Sequence, residues 1–140
     1  EMGGAYQCTI VNNTFYNNTT HAEAWGSELY IQYDTQNNII QNNIFFADSE
    51  RRFLQSWSAV MDGNQMDYNL FYALGGGLDG NWEWKGVFYE TFAAYQTGSG
   101  SDAHTLAGQD PLLVSSACCT PILAASADSH RSHQPPSPPR

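Results

Sequence analysis

The chain has 140 residues, a formal net charge of −9 and a charged fraction of 14%, enough length for one domain with its own core. That acidity argues against nucleic acid, whose phosphates need a basic surface, and no stretch approaches the roughly 20 apolar residues of a membrane helix. Before Val114, thirteen Asp and Glu stand against Arg51, Arg52 and Lys85 alone, which weighs against an anionic polysaccharide as partner unless Ca²⁺ bridges the two.

In chain order, residues 7 to 16 read as a strand, a bend at Asn12-Asn13 and a second short strand. Cys8 falls in the first of these and is expected to be a small buried residue. Thr19 to Ser27 is a polar loop with His21, Glu23 and Trp25. Residues 28 to 33 alternate like a half-buried strand, with Leu29, Ile31 and Tyr33 on one face. Asn37-Asn38 then turns the chain into Ile39-Ile40, and Asn42-Asn43 turns it into Ile44-Phe45-Phe46. A second polar excursion, Asp48 to Ser58, carries Glu50, Arg51, Arg52 and Trp57. The pattern returns through Ala59-Val60-Met61 and the turn Asp62-Gly63-Asn64 to Leu70-Phe71-Tyr72.

From Ala73 the pattern stops. Gly75-Gly76-Gly77 is followed by Trp82-Glu83-Trp84-Lys85-Gly86, and Tyr89 to Gln96 has helical spacing, with Thr91 as a start signal and Gly98 as a stop. Asp110-Pro111-Leu112-Leu113-Val114 reads as a last strand. Ser115 to Arg140 is rich in Ser, Ala, Pro and His without periodicity, as in a disordered or extended tail. Cys118 and Cys119 are adjacent and offer no zinc or redox spacing. The opening Glu1-Met2-Gly3-Gly4 has none of the character of a signal peptide, so localisation stays open.

One phrase recurs: Asn13-Thr14-Phe15-Tyr16, Asn43-Ile44-Phe45-Phe46 and Asn69-Leu70-Phe71-Tyr72, at spacings of 30 and 26 residues. A repeat of this length implies turns of chain resting on one another. Asn13, Asn43 and Asn69 are then expected to stack as a ladder of side-chain amides, with Phe15, Phe45 and Phe71 as an aromatic stack beside it.

These phrases, with Asp67-Tyr68-Asn69-Leu70-Phe71-Tyr72, the Gly and Trp segment, Ser101 to Leu106 and Asp110-Pro111-Leu112, resemble the C-terminal end of right-handed parallel β-helix proteins of the pectate-lyase-like superfamily, over residues 4 to 114. The resemblance implies an all-β solenoid of about three coils over residues 1–73, a C-terminal cap and last strand over 74–114, and a low-complexity tail over 115–140. It also implies a piece of a longer, secreted or cell-surface protein, opening in the middle of a coil. The uncapped first coil, around Tyr6 to Ile10, is expected to pair with a second copy and make a homo-oligomer.

The lyases of that superfamily use a Lys or Arg base, often with Ca²⁺, and the candidates here are Lys85, Arg51 and Arg52. Its hydrolases use paired carboxylates, and Glu28, Asp34, Asp62 and Asp67 do not match the coil period. Asp102 and His104 suggest half of a triad without a nucleophile. No metal site is expected. The four Trp carry the carbohydrate-binding expectation: Trp25, Trp57, Trp82 and Trp84, with a structural alternative in which Trp82 and Trp84 plug the end of the coils. The reading reached is a non-catalytic carbohydrate-associated chain that binds neutral glycan. A polysaccharide lyase or glycoside hydrolase module, and a self-associating structural unit, are the alternatives.

Overall fold

A computed structural model describes residues 2–18, 26–48, 52–57, 61–80 and 82–113. The described strands are β1 (Met2–Gly3), β2 (Thr9–Val11), β3 (Thr14–Tyr16), β4 (Ser27–Gln32), β5 (Ile39–Gln41) and β6 (Ile44–Asp48). They continue with β7 (Arg52–Ser56), β8 (Gln65–Asp67), β9 (Leu70–Leu74), β10 (Trp82–Trp84) and β11 (Val87–Tyr89). Helix α1 (Phe92–Ser99) and β12 (Leu106–Ala107) complete the order. Three sheets result, ordered β1-β4-β7-β10-β11, β12-β9-β6-β3 and β2-β5-β8.

The pairing register follows the sequence repeat. Thr14, Phe15 and Tyr16 lie beside Ile44, Phe45 and Phe46, which lie in turn beside Leu70, Phe71 and Tyr72, all parallel. Thr9 to Val11 pair with Ile39 to Gln41, and these with Gln65 to Asp67. Because equivalent residues meet, like groups stack on like. Phe15 and Phe45 stack at 4.7 Å, and Phe45 and Phe71 at 4.9 Å, within the range favoured by offset rings. The core around them holds Leu29, Ile31, Ile40, Leu54 and Met66, all buried.

The Asn pairs divide their labour. The first position of each corner takes the left-handed conformation: Asn12, Asn42 and Tyr68 at φ 60°, 54° and 55°, and Gln7, Asn37 and Gly63 at 56°, 57° and 72°. Asn tolerates that region at lower cost than most residues. At Gly63 a Cβ would also collide with the Asn37 side chain. The second position makes the stack. The Asn13 backbone N–H and Nδ2 donate to Asn43 Oδ1 at 3.0 and 3.2 Å, and the same two groups of Asn43 donate to Asn69 Oδ1 at 3.0 and 3.2 Å. A second chain of amides runs beside it, with the Cys8 N–H donating to Asn38 Oδ1 (2.7 Å) and Asn38 Nδ2 to Asn64 Oδ1 (2.9 Å).

After residue 74 the construction changes. β10 and β11 form an antiparallel hairpin turned by Lys85 and Gly86, both at positive φ (52° and 76°), as a two-residue type I′ turn requires. The Thr91 side chain caps α1 by accepting from the Ala94 N–H at 3.1 Å. α1 lays Phe92 and Tyr95 on Trp82, with ring centroids 4.9 and 5.1 Å away. Trp82 itself meets Phe71 edge-on at 4.8 Å and so ends the Phe stack.

The expectation of an all-β solenoid of about three coils is therefore corrected. The chain is mixed α/β: three sheets of mostly parallel strands, one antiparallel pair, and a helix whose Tyr95 is fully buried in the core. A strand is not the only way to cover apolar sheet edges, and one helical turn placing two aromatics on Trp82 does it here.

Local expectations are corrected for equally local reasons. Within the polar excursion Asp48 to Ser58, Arg52–Ser56 is strand β7, buried at Phe53, Leu54, Gln55 and Ser56; the sequence shows no alternation there because its polar residues are satisfied by neighbours. Cys8 is exposed and precedes β2. Tyr33 leaves the face of Leu29 and Ile31, because β4 ends at Gln32 and a φ of 54° turns Tyr33 outward, 70% exposed. α1 passes through Gly98 to Gly100, whose left-handed cap ends it. Gly98 is needed inside the helix because a Cβ there would overlap the Tyr89 ring. The last described strand is Leu106–Ala107, not the segment from Asp110. Ala59, Val60, Val114 and the tail from Ser115 lie outside the described residues.

Candidate functional site

The sheet that contains β4, β7 and β10 brings together a set of polar and aromatic groups. Register places Tyr30 beside Gln55 and Leu54 beside Trp82, which sets Glu83 next to Gln55. Glu83 is buried, and its Oε2 lies 3.1 Å from the Arg52 guanidinium. Burial pushes the Glu83 carboxyl above its usual range, opposed by the Arg52 charge and by hydrogen bonds from Gln55 and Trp57. Gln55 is anchored from the other side, where its Oε1 accepts the Gly26 N–H at 3.2 Å. Arg52 also sits over the Phe88 ring, 4.7 Å from its centroid.

Trp57 joins this buried cluster to the surface. Its indole has only one polar hydrogen to give, and that goes to Glu83, so the ring is pinned by its N–H. Tyr30 holds it edge-on at 6.0 Å. Trp57 remains 46% exposed and forms one wall of a cleft of about 380 Å³ whose other lining residues, among those described, are Gln32, Tyr33 and Asp34. An aromatic residue at positive φ, as Tyr33 is, costs on the order of 1 kcal/mol of backbone strain. The cleft thus pairs two exposed aromatic rings with one amide and one carboxylate, the equipment that holds a polyol with apolar C–H faces.

The other residues singled out in the sequence are placed as follows. Trp25, Arg51, His21, Glu23 and Glu50 lie outside the described residues. Trp82 and Trp84 are 0% and 5% exposed. Neither ring offers a face to a sugar, so their assignment as sugar contacts is corrected: Trp82 donates its N–H to the Leu78 carbonyl at 2.9 Å and both rings pack on Tyr95. Asn13, Asn43 and Asn69, with Phe15, Phe45 and Phe71, are engaged with one another as described above.

Of the ionisable candidates for catalysis, Asp34 lines the cleft and the other described ones are engaged with protein partners. Lys85 pairs with Asp62 at 3.1 Å, and Arg52 with Glu83. Glu28 is buried and accepts from the Asn18 backbone and side-chain amides at 3.0 and 2.9 Å. The partner of His104 is Asp67, not Asp102: Nδ1 lies 2.7 Å from Asp67 Oδ2, and the ring stacks on Tyr68 at 4.9 Å. Partial burial would raise the Asp67 carboxyl, but hydrogen bonds from the His104 side chain and backbone and from Tyr68 N–H, with the His104 charge, hold it below its usual range. Asp102 is buried inside the closing segment, where desolvation raises its carboxyl against hydrogen bonds from Thr105, Tyr95 and Asn69. Among the described residues no group of three His, Cys, Asp or Glu could hold a metal ion.

Sequence reasoning found Trp57 and missed its partners. Gln32, Tyr33 and Asp34 continue a strand pattern without visible interruption, and Glu83 lies between two buried Trp.

No family model matches the chain, and no solved structure matches it. It is similar to an uncharacterized protein of Bacillus subtilis (strain 168), YwoF, at 31% identity over 106 residues, which is 76% of this chain and 22% of that protein. The chain therefore spans about a fifth of the length of the curated relative it matches.

Proposed function

We propose that this chain is a non-catalytic glycan-binding unit whose contact site is the Trp57 cleft. The observation that carries the reading is an exposed indole, held by a hydrogen bond to the buried Glu83 and facing Gln32, Tyr33 and Asp34 across about 380 Å³. A pinned ring stacks on a pyranose with little further loss of side-chain entropy, and amide and carboxylate oxygens accept the sugar hydroxyls. Non-catalysis is supported by the engagement of Glu83, Arg52, Lys85, Glu28 and Asp67 with protein partners. The test is a glycan array followed by calorimetry of Trp57→Ala. Loss of at least about tenfold in affinity, with no new reducing ends and no unsaturated sugar released by the parent chain, is the expected result. Unchanged binding in the variant removes the reading; sugar release by the parent chain returns it to the lyase or hydrolase class.

One observation favours a second reading, self-association. Among the described residues β1, β2 and β3 each lie at the edge of their sheet, with one row of backbone groups unpaired. Tyr6 bridges Gln36 through the N–H of Gln7 and the carbonyl of Ala5, which leaves its own N–H outside that pairing. Tyr6→Pro should then shift a dimer to monomer in light scattering across a tenfold concentration range, with the thermal midpoint of the monomer retained. A parent chain that is monomeric throughout that range contradicts it.

A further inference from the structure

We infer that the cleft selects a protonated amino sugar, such as a deacetylated glucosamine oligomer, over N-acetylated and uronic glycans; this rests on the Trp57 cleft being a glycan site. The argument is one of charge and placement. The lysine and the arginine among the described residues are already paired, Arg52 with Glu83 and Lys85 with Asp62, and the His104 ring lies against Asp67. A uronate carboxylate entering the cleft would find no unpaired lysine or arginine among the described residues and would meet Asp34, on a chain of net charge −9. Asp34 is exposed and has no ion-pair partner among the described residues. It shares its cleft with the rings of Trp57 and Tyr33, 46% and 70% exposed. A carboxylate that shares a cleft with two exposed aromatic residues can receive an ammonium group, by Coulomb attraction and by the ring quadrupoles together. A sugar ring carrying an equatorial ammonium holds its charge at the edge of its C–H face, so that one small molecule can stack on the indole and reach a carboxylate in the same cleft.

The test is calorimetry at pH 6 with the full chain and three hexasaccharides: glucosamine, N-acetylglucosamine and galacturonate. The glucosamine hexamer should bind at least about tenfold tighter than the acetylated one, the galacturonate hexamer should not bind, and the preference should shrink at high salt. Asp34→Asn should abolish the preference, weakening the glucosamine hexamer at least about tenfold more than the acetylated one; Trp57→Ala should weaken both. Asp110→Asn, which removes one charge outside the cleft, should leave the preference intact. Equal affinity for the two hexamers in the parent chain, a preference that survives Asp34→Asn, or an equal loss in Asp110→Asn overturns the inference while the glycan site stands. No binding of any hexamer, or binding indifferent to Trp57→Ala, overturns the site itself and the inference with it.

Discussion

The stacked strands of residues 2–74 and the closing segment of residues 82–107 solve one problem by opposite means. In the first, identical groups satisfy each other. Asn43 Oδ1 receives what Asn13 donates, Asn69 Oδ1 receives what Asn43 donates, and Phe15, Phe45 and Phe71 lie ring on ring. In the second, every partner is different. The last amide, Asn69, gives Nδ2 to Asp102 Oδ1 at 3.1 Å and its backbone N–H to Thr105 Oγ1 at 2.9 Å. Tyr95 gives its hydroxyl hydrogen to Asp102 Oδ2 at 2.7 Å, and Trp82 crosses Phe71 edge-on. Propagating a stack requires a residue that can donate and accept along the same direction, which an amide does. Ending one requires a group that accepts without demanding a further acceptor, which a carboxylate does.

The largest way to break this comparison is through the closing aromatic. Trp82→Ala removes the ring against which Phe53, Phe71, Phe92 and Tyr95 all pack, and should cost about 3–5 kcal/mol, read as a drop in the urea midpoint at unchanged slope. A loss below about 1 kcal/mol would mean that the closing segment is not energetically coupled to the stack.

Within the stack, Asn43→Ala should cost about 1–3 kcal/mol, since it leaves the Ile10 carbonyl and the Asn13 donors without their partner at a buried site. Asn13→Ala, at an exposed position of the same chain of amides, should cost about 0.5 kcal/mol or less. Equal losses would show that burial does not set the value of these amides.

The smallest effect separates two acids by sign. The Asp67 carboxyl is lowered, so its contribution is present above the ordinary value of 3.8 and is lost as pH falls through the lowered one. Asp67→Asn should therefore cost about 0.2–1 kcal/mol near neutral pH and nothing in strong acid. The Asp102 carboxyl is raised, so the folded state holds its proton more tightly. Its contribution is fully present below 3.8 and is lost as pH rises toward the raised value. Asp102→Asn, which keeps an oxygen for Asn69 and Thr105, should flatten that decline. Stability curves between pH 3 and 7 check both, and a slope of the same sign for the two variants would contradict the assignment.

How much of this was legible follows from where each residue finds its partner. Asn43 could be read because its partner is another Asn at the recurring spacing, and Phe45 because its partner is another Phe. Thr91 could be read as a helix start because its partner, the Ala94 N–H, is three residues away. Trp57 could be suspected as an exposed ring, but Glu83, which pins it, is remote in sequence and has no periodic relation to it. Arg52 looked like a loop cation, yet it opens β7 and spends its charge on Glu83.

The sequence by itself determined the register of the stacked strands, the amide and phenyl stacks, the glycine at position 63 and the cap of α1. Each of these depends on a local conformational preference or on like meeting like at a repeated interval. The tertiary structure alone decided the mixed α/β closure, the burial of Trp82 and Trp84, the pairing of His104 with Asp67 and the walls of the Trp57 cleft. Those depend on unlike side chains from distant segments competing for the same partners, and the outcome is set by burial and geometry that no interval in the chain encodes.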